Sequence, residues 1–251
     1  MSGHSKWSTI KRQKGATDIK RGQTFTKISN AITYTVKLGG SGDPNVNPRL
    51  RVALEGARKV NMPKENIQRA IDRGLGKLPG QVLEEVFYEG FGPGKVAFCL
   101  EGVTDNKTRT NQEIKSLFEK SGGSLGGHGS VAYMFDKKGE IKVNGKGGDA
   151  GDEILELIDL GVEDIESYKD SILGKQVYLV YVASPELNTM SNKITQSGFE
   201  IESAEPTMKP NVLVKITDDE LIKKVLGFTE KLEERDDIQK VYANFDIPEE
   251  I

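Results

Sequence analysis

The chain has 251 residues, 29% of them charged, a formal net charge of -3 and one cysteine, Cys99. No window approaches the roughly 18 apolar residues that a membrane span requires, and a single cysteine excludes an intramolecular disulfide, which fits a reducing cytoplasm. The length allows two or three small domains, each with a core of its own.

The near-neutral total conceals a division. Met1 to Lys77 carries 16 Lys and Arg against 5 Asp and Glu, a balance of +11, and the remainder carries 19 against 33, or -14. A basic head joined to an acidic body points to an acidic partner, nucleic acid first. Docking of head on body is the competing reading of the same charges.

The stretch Gly3 to Lys37 is the most basic. Lys6, Lys11, Arg12, Lys14, Lys20, Arg21 and Lys27 surround one carboxylate, Asp18, with Trp7 set among them. Such cations neutralise phosphates and release counterions without regard to base sequence. Trp7 has two readings: stacking on an unpaired base, worth about 1 to 3 kcal/mol, or covering the helices that follow. This basic, Ser-containing start partly imitates a transit peptide, but the helix within it looks built to pack. If Met1 is removed, His4 becomes third in a terminus whose nitrogens suit copper or nickel. No metal role is expected from that.

Phe25, Ile28, Ile32 and Val36 fall on one face of a helix that Gly39 and Gly40 stop. Asn47 before Pro48 is an N-cap followed by the favoured N1 proline, opening a second helix with Leu50, Leu54 and Ala57 inward. Pro63 opens a third, with Ile67, Ala70 and Ile71 inward and Gly74 at its end. Arg49, Arg51, Arg58, Lys59, Lys64, Arg69 and Arg73 are left for the outer surfaces. The second and third helices weakly imitate a helix-turn-helix in which Lys64, Glu65, Asn66 and Gln68 would reach base edges.

From Gln81 the period changes. Val86 to Phe91 and Lys95 to Val103 read as strands around Gly92-Pro93-Gly94, with Val96, Phe98 and Leu100 alternating against Ala97, Cys99 and Glu101. A helix from Asn106 or Thr108 places Ile114, Leu117 and Phe118 inward and ends at Gly122 and Gly123. The loop Ser121 to Ser130 follows, then a strand Val131 to Phe135. That loop holds Gly122, Gly123, Gly126, Gly127, His128 and Gly129. It fails both glycine-rich nucleotide motifs and reads either as a hinge or as a binding loop offering bare amides to phosphate or tRNA.

Glu140 to Val143, Asp152 to Leu160, Asp164 to Ser167, Gln176 to Val182, Pro185 to Ser197 and Phe199 to Ser203 read as βαββαβ. This is the order of a ferredoxin-like unit, self-sufficient enough to be an insertion. Pro206 and Pro210 mark the way back. A helix Asp218 to Glu234, with Leu221, Val225, Phe228 and Leu232 on one side, and a strand Ile238 to Phe245 would complete the sheet begun at Val86. The expected architecture is multidomain, α and α+β: a three-helix head over 1–77, a discontinuous α+β domain over 78–135 and 206–251, and an inserted ferredoxin-like domain over 136–205. A third contiguous domain is the alternative.

Only His4 and His128 are present, and no HExxH, GxSxG or cysteine pair appears. No enzyme activity, cofactor or metal is expected.

The runs GHSKWSTIKRQKGATDIKRGQTFTKI, NPRLRVALEGARKVNMPKENIQRAI, FYEGFGPG and GGSLGGHGSVAYMF together resemble the YebC/PmpR family, relatives of the mitochondrial translational activator of cytochrome oxidase. The resemblance spans the whole chain. It implies three domains in the order given and a regulator that binds nucleic acid. Some members carry the label of DNA-binding transcriptional regulators, and others assist synthesis of difficult sequences, such as proline runs, on the ribosome. It brings no catalytic residues, and it supports the seven basic positions from Lys6 to Lys27 as members of the matching motif. The lack of a long extension before GHSKW favours a bacterial-type cytoplasmic protein. An acidic body is awkward beside long DNA, so the expected partner is structured RNA on the ribosome, rRNA or tRNA. The alternative is transcriptional control through DNA. No membrane partner is expected, and a monomer is.

Overall fold

A computed structural model describes residues 18–79, 82–170 and 174–247, the side chains of 18–21 and 48 excepted. The head holds α1 (Asp18–Gly39), α2 (Pro48–Lys59) and α3 (Lys64–Gly74). Next come β1 (Glu84–Phe91), β2 (Ala97–Thr104), α4 (Lys107–Lys120), β3 (Ser124–Gly126), β4 (Phe135–Asn144), α5 (Ala150–Asp159) and β5 (Asp164–Lys169). The chain closes with β6 (Gln176–Ala183), α6 (Leu187–Gln196), β7 (Glu200–Pro210), β8 (Val214–Lys215), α7 (Asp219–Glu233), β9 (Ile238–Ala243) and β10 (Phe245–Asp246).

The apolar stripe of α1 does what its spacing predicts: Ile32 and Val36 are fully buried, with Phe25 and Ile28 packed beside them. Burial of each such aliphatic side chain contributes about 1.5 to 3 kcal/mol. Leu50 and Ala57 of α2 and Ala70 of α3 complete that core. Asn47 caps α2 by accepting from the Leu50 amide at 3.1 Å, and its Nδ2 donates to the carbonyls of Thr35 and Ser41 at 2.9 and 3.2 Å. One side chain thus starts a helix and ties it to the end of α1. Gly74 serves packing as well as termination. A Cβ there would stand 2.6 Å from Val36 Cβ and 2.7 Å from the Thr33 carbonyl oxygen.

The first sheet runs β3-β1-β2-β9 with antiparallel neighbours, so its last strand arrives from the far end of the sequence. Phe98 of β2, Phe118 of α4 and Phe228 of α7 meet edge to face at centroid distances of 4.9 to 6.3 Å. The predicted alternation along β2 is not seen, because Ala97 and Cys99 are as fully buried as Phe98 and Leu100. Cys99 lies between Glu89 and Tyr242 across the sheet, and a loop from beyond β3 is held on that face by Glu89. A strand covered on both sides has no solvent face to mark in sequence.

The predicted strand Val131 to Phe135 is corrected. The amides of Val131 and Ala132 donate to Glu89 instead of to a ladder, and the strand starts at Phe135 and continues through the residues expected at 140–143.

The second sheet runs β5-β6-β4-β7, every neighbour antiparallel, with α5 and α6 in the crossovers. This is the ferredoxin-like order. Ile141, Val143, Tyr178, Val180 and Val182 pack against Leu157, Met190 and Ile194 of the helices. On the opposite face Tyr168, Val177, Leu179 and Tyr181 are buried too. Part of their cover is charged: the Lys209 ammonium sits 3.7 Å from the centroid of the Tyr181 ring.

Pro206 does not mark the way back, for it lies within β7 opposite Gly139 of β4, whereas Pro210, opposite Phe135, is the last residue of that strand. An edge strand tolerates proline because its missing N–H can face away from the ladder.

The fold is multidomain: a helical head, an α+β layer assembled from two separated stretches of chain, and a ferredoxin-like α+β layer between them in sequence. Its described residues form two compact units, 18–132 with 223–243 and 133–222 with 244–247.

Candidate nucleic-acid interface

Of the residues singled out in the arm, Lys6, Trp7, Lys11, Arg12 and Lys14 lie outside the described residues. Lys20 and Arg21 are in the first turn of α1. Lys27 is placed fully, and its ammonium donates to the carbonyl of Glu233 at the end of α7. A lysine there satisfies an orphan carbonyl and complements the negative helix end. Lys27 therefore ties α1 to α7 within one compact unit.

The seven cations predicted for the outer surfaces of α2 and α3, Arg49, Arg51, Arg58, Lys59, Lys64, Arg69 and Arg73, are all exposed. Arg51 donates to the Pro44 carbonyl at 3.2 Å. Arg58, Lys64, Arg69 and Arg73 meet no carboxylate among the described residues. The nearby Asp72 is taken by the Gln68 amide at 3.2 Å and the Lys77 ammonium at 3.6 Å. The body differs. Lys107 pairs with Glu84, Arg109 with Asp105 and Asp237, Lys142 with Glu202, and Lys146 with Glu156, at 2.6 to 3.2 Å. Such pairs near the surface add little stability, but they cancel charge locally, whereas Arg58, Lys64, Arg69 and Arg73 of the head keep theirs open.

The helix-turn-helix reading of α3 finds little to work with. Gln68 is spent within the helix, Asn66 is half-buried, and Glu65 presents a carboxylate in the first turn. The open cations Arg69 and Arg73 lie in the second half of the helix, away from the end that enters a groove.

The glycine loop is held by a residue that sequence reasoning missed. Glu89 has a side chain only 1% exposed, and it accepts from the amides of Gly129 at 2.7 Å, Val131 at 2.9 Å and Ala132 at 2.8 Å. His128, at 92% exposure, stands with Nδ1 3.3 Å from the same carboxylate. Burial pushes the Glu89 carboxyl up, but the three amides and His128 outweigh it and hold it below its ordinary value. Gly122 and Gly123 donate to helix carbonyls of α4, and Gly126 pairs with Glu89 in the sheet. Amides that could have received a phosphate thus hold an internal anion, and Gly127 and His128 form the exposed tip. The clue in sequence was a glutamate facing the core in the strand before Gly90. On the same face, burial first, then Glu89 and Glu101, raise the Cys99 thiol to about 12.

Among the described residues no group of His, Cys, Asp and Glu is arranged to hold a metal ion, and no helix is long and apolar enough to cross a membrane.

Two family profiles match the chain in tandem: the TACO1/YebC protein N-terminal domain over residues 5–77, and the TACO1/YebC second and third domain over residues 83–245. A "Probable transcriptional regulatory protein" of Chloroflexus aurantiacus is 45% identical, and one of Dictyoglomus thermophilum 46%, each over 253 aligned residues covering all of this chain and 98% of the relative. The crystal structure of a conserved hypothetical protein from Aquifex aeolicus superposes with a TM-score of 0.80 at 42% identity, covering 93% of both chains. With profiles spanning both the head and the body, and relatives matched end to end, the chain belongs to the TACO1/YebC family.

Proposed function

We propose that this protein is a non-enzymatic, nucleic-acid-binding regulator of gene expression. It acts in the cytoplasm as a monomer, on the ribosome, through structured rRNA or tRNA, as a translation factor for difficult sequences such as proline runs. The observation that carries the reading is that the exposed head cations Arg58, Lys64, Arg69 and Arg73 meet no carboxylate among the described residues, in a chain whose body pairs many of its own cations. Counterion release at such a surface supplies affinity without base preference, and the crowded acidic body suits a compact RNA target better than long duplex DNA. In this reading the arm residues Lys6, Lys11, Arg12, Lys14, Lys20 and Arg21 grip the backbone, and Trp7 stacks on a base. The functional division is 1–77, 78–135 with 206–251, and 136–205.

The second reading, a DNA-binding transcriptional regulator, is favoured by the names of the relatives. Crosslinking in cells, followed by sequencing of both RNA and DNA, separates the two. Recovery of ribosomal RNA supports the first, and a preponderance of promoter DNA sinks it. Replacing Lys11, Arg12 and Lys14 by Ala is expected to lower the salt slope of binding by about 0.7 to 0.9 per lost phosphate contact. An unchanged slope removes the arm as the gripping element.

A further inference from the structure

We infer that Arg69 and Arg73, on one flank of α3, form a phosphate-contacting surface of their own, separate from the arm, that holds a nucleic-acid backbone without reading bases. The inference rests on the nucleic-acid reading above and adds residues that the arm does not include.

The two arginines are four residues apart in α3, so they stack one turn above the other, about 6 Å along the axis. Like charges at this spacing disfavour the helix unless an anion lies between them. No anion is supplied from within. Asp72, set about 100° round the helix from Arg73, is engaged by Gln68 and Lys77. Glu65, one turn before Arg69, makes no ion pair with it among the described residues. Both guanidiniums are exposed, and a planar fork of donors suits a phosphate bidentately. Attraction to the negative helix end accounts for Arg73, which stands in the last turn. It does not account for Arg69, a full turn earlier. Base reading is disfavoured at the other end of α3, where the Glu65 carboxylate repels a backbone and Gln68 is occupied.

The test compares full-length wild type, R69Q/R73Q and R69K/R73K by fluorescence anisotropy on a 20-base-pair RNA hairpin, from 50 to 200 mM KCl. Two lost contacts should lower the slope of log K against log salt by about 1.4 to 1.8 and the affinity at 0.1 M salt by roughly 25- to 60-fold. The lysine variant should keep the slope. R69Q alone, expected to lose half the effect, keeps the test open if the double variant does not fold. A wild-type slope in R69Q/R73Q, with the slope still lowered by the arm substitutions, overturns this surface and leaves the nucleic-acid reading standing. A wild type with no salt-dependent binding overturns both.

Discussion

Glu89 offers the sharpest test of how the middle of the molecule is held. In Glu89→Gln the side chain keeps its shape but replaces one acceptor oxygen with an NH2 group. Oε2 serves two amides, Val131 and Ala132, and Oε1 serves Gly129. The best orientation therefore retains two bonds, turns a donor toward the Gly129 amide, and leaves the survivors neutral. A hydrogen bond to a charged group contributes about 1.5 to 3 kcal/mol and an ordinary one about half that. Losing one and weakening two amounts to about 3 to 6 kcal/mol, most of it felt locally. Hydrogen exchange at Gly129, Val131 and Ala132 should accelerate by about 100- to 10,000-fold, because each 1.4 kcal/mol is a factor of ten when opening is a rapid equilibrium. The pH dependence has a definite sign. The folded carboxyl lies below its ordinary value near 4.5, so its stabilisation is full above that value and is lost as pH falls through the depressed folded pKa. The wild type should approach Glu89→Gln in acid and stand furthest from it at neutral pH. Exchange rates in Glu89→Gln equal to wild type at pH 7 would refute the assignment of Glu89 as the loop's anchor.

Two further outcomes are expected. Gly74→Ala should destabilise the head by about 1 to 3 kcal/mol through overpacking against Val36 and Thr33. Gly56→Ala, where no described atom lies within 4 Å of an added Cβ, should stabilise α2 by up to about 1 kcal/mol; urea melts followed by helical ellipticity distinguish them. Cys99, fully buried and with its thiol raised to about 12, should resist a thiol reagent at pH 8 in the folded protein and react at once in denaturant. Rapid labelling without denaturant counts against that burial.

The elements most legible in sequence were those whose information is local. A stripe at helical spacing, as in Ile28, Ile32 and Val36, or a cap such as Asn47 before Pro48, fixes a helix within a few residues. The ferredoxin-like order was readable because β4 alternates, β6 is a continuous apolar run too short for a helix, and α5 and α6 each carry a helical stripe. What escaped depends on partners distant in sequence. Val131 has the composition of a strand residue, but its amide goes to a carboxylate 42 positions earlier. Lys27 reads as one more phosphate-binding cation, yet a carbonyl 206 residues away accepts a hydrogen bond from it. Pro206 reads as a terminator because proline cannot serve in a central strand, and only the strand order shows that β7 is an edge. In the candidate interface the outward cations were visible as residues left over from an apolar stripe. Which of them stay unneutralised required the ion pairs.

The arrival of β9 beside β2 has a consequence during synthesis. The side of β2 opposite β1 has its partner only after about 130 further residues are made, since β2 ends at Thr104 and β9 begins at Ile238. At 5 to 20 residues per second this leaves an apolar strand with an open edge for on the order of ten seconds. The sequence Ala97-Phe98-Cys99-Leu100 is of the kind that pairs with copies of itself when exposed. Nascent chains truncated between β2 and β9 are therefore the aggregation-prone species of this protein, and chaperone engagement should be concentrated in that window of elongation.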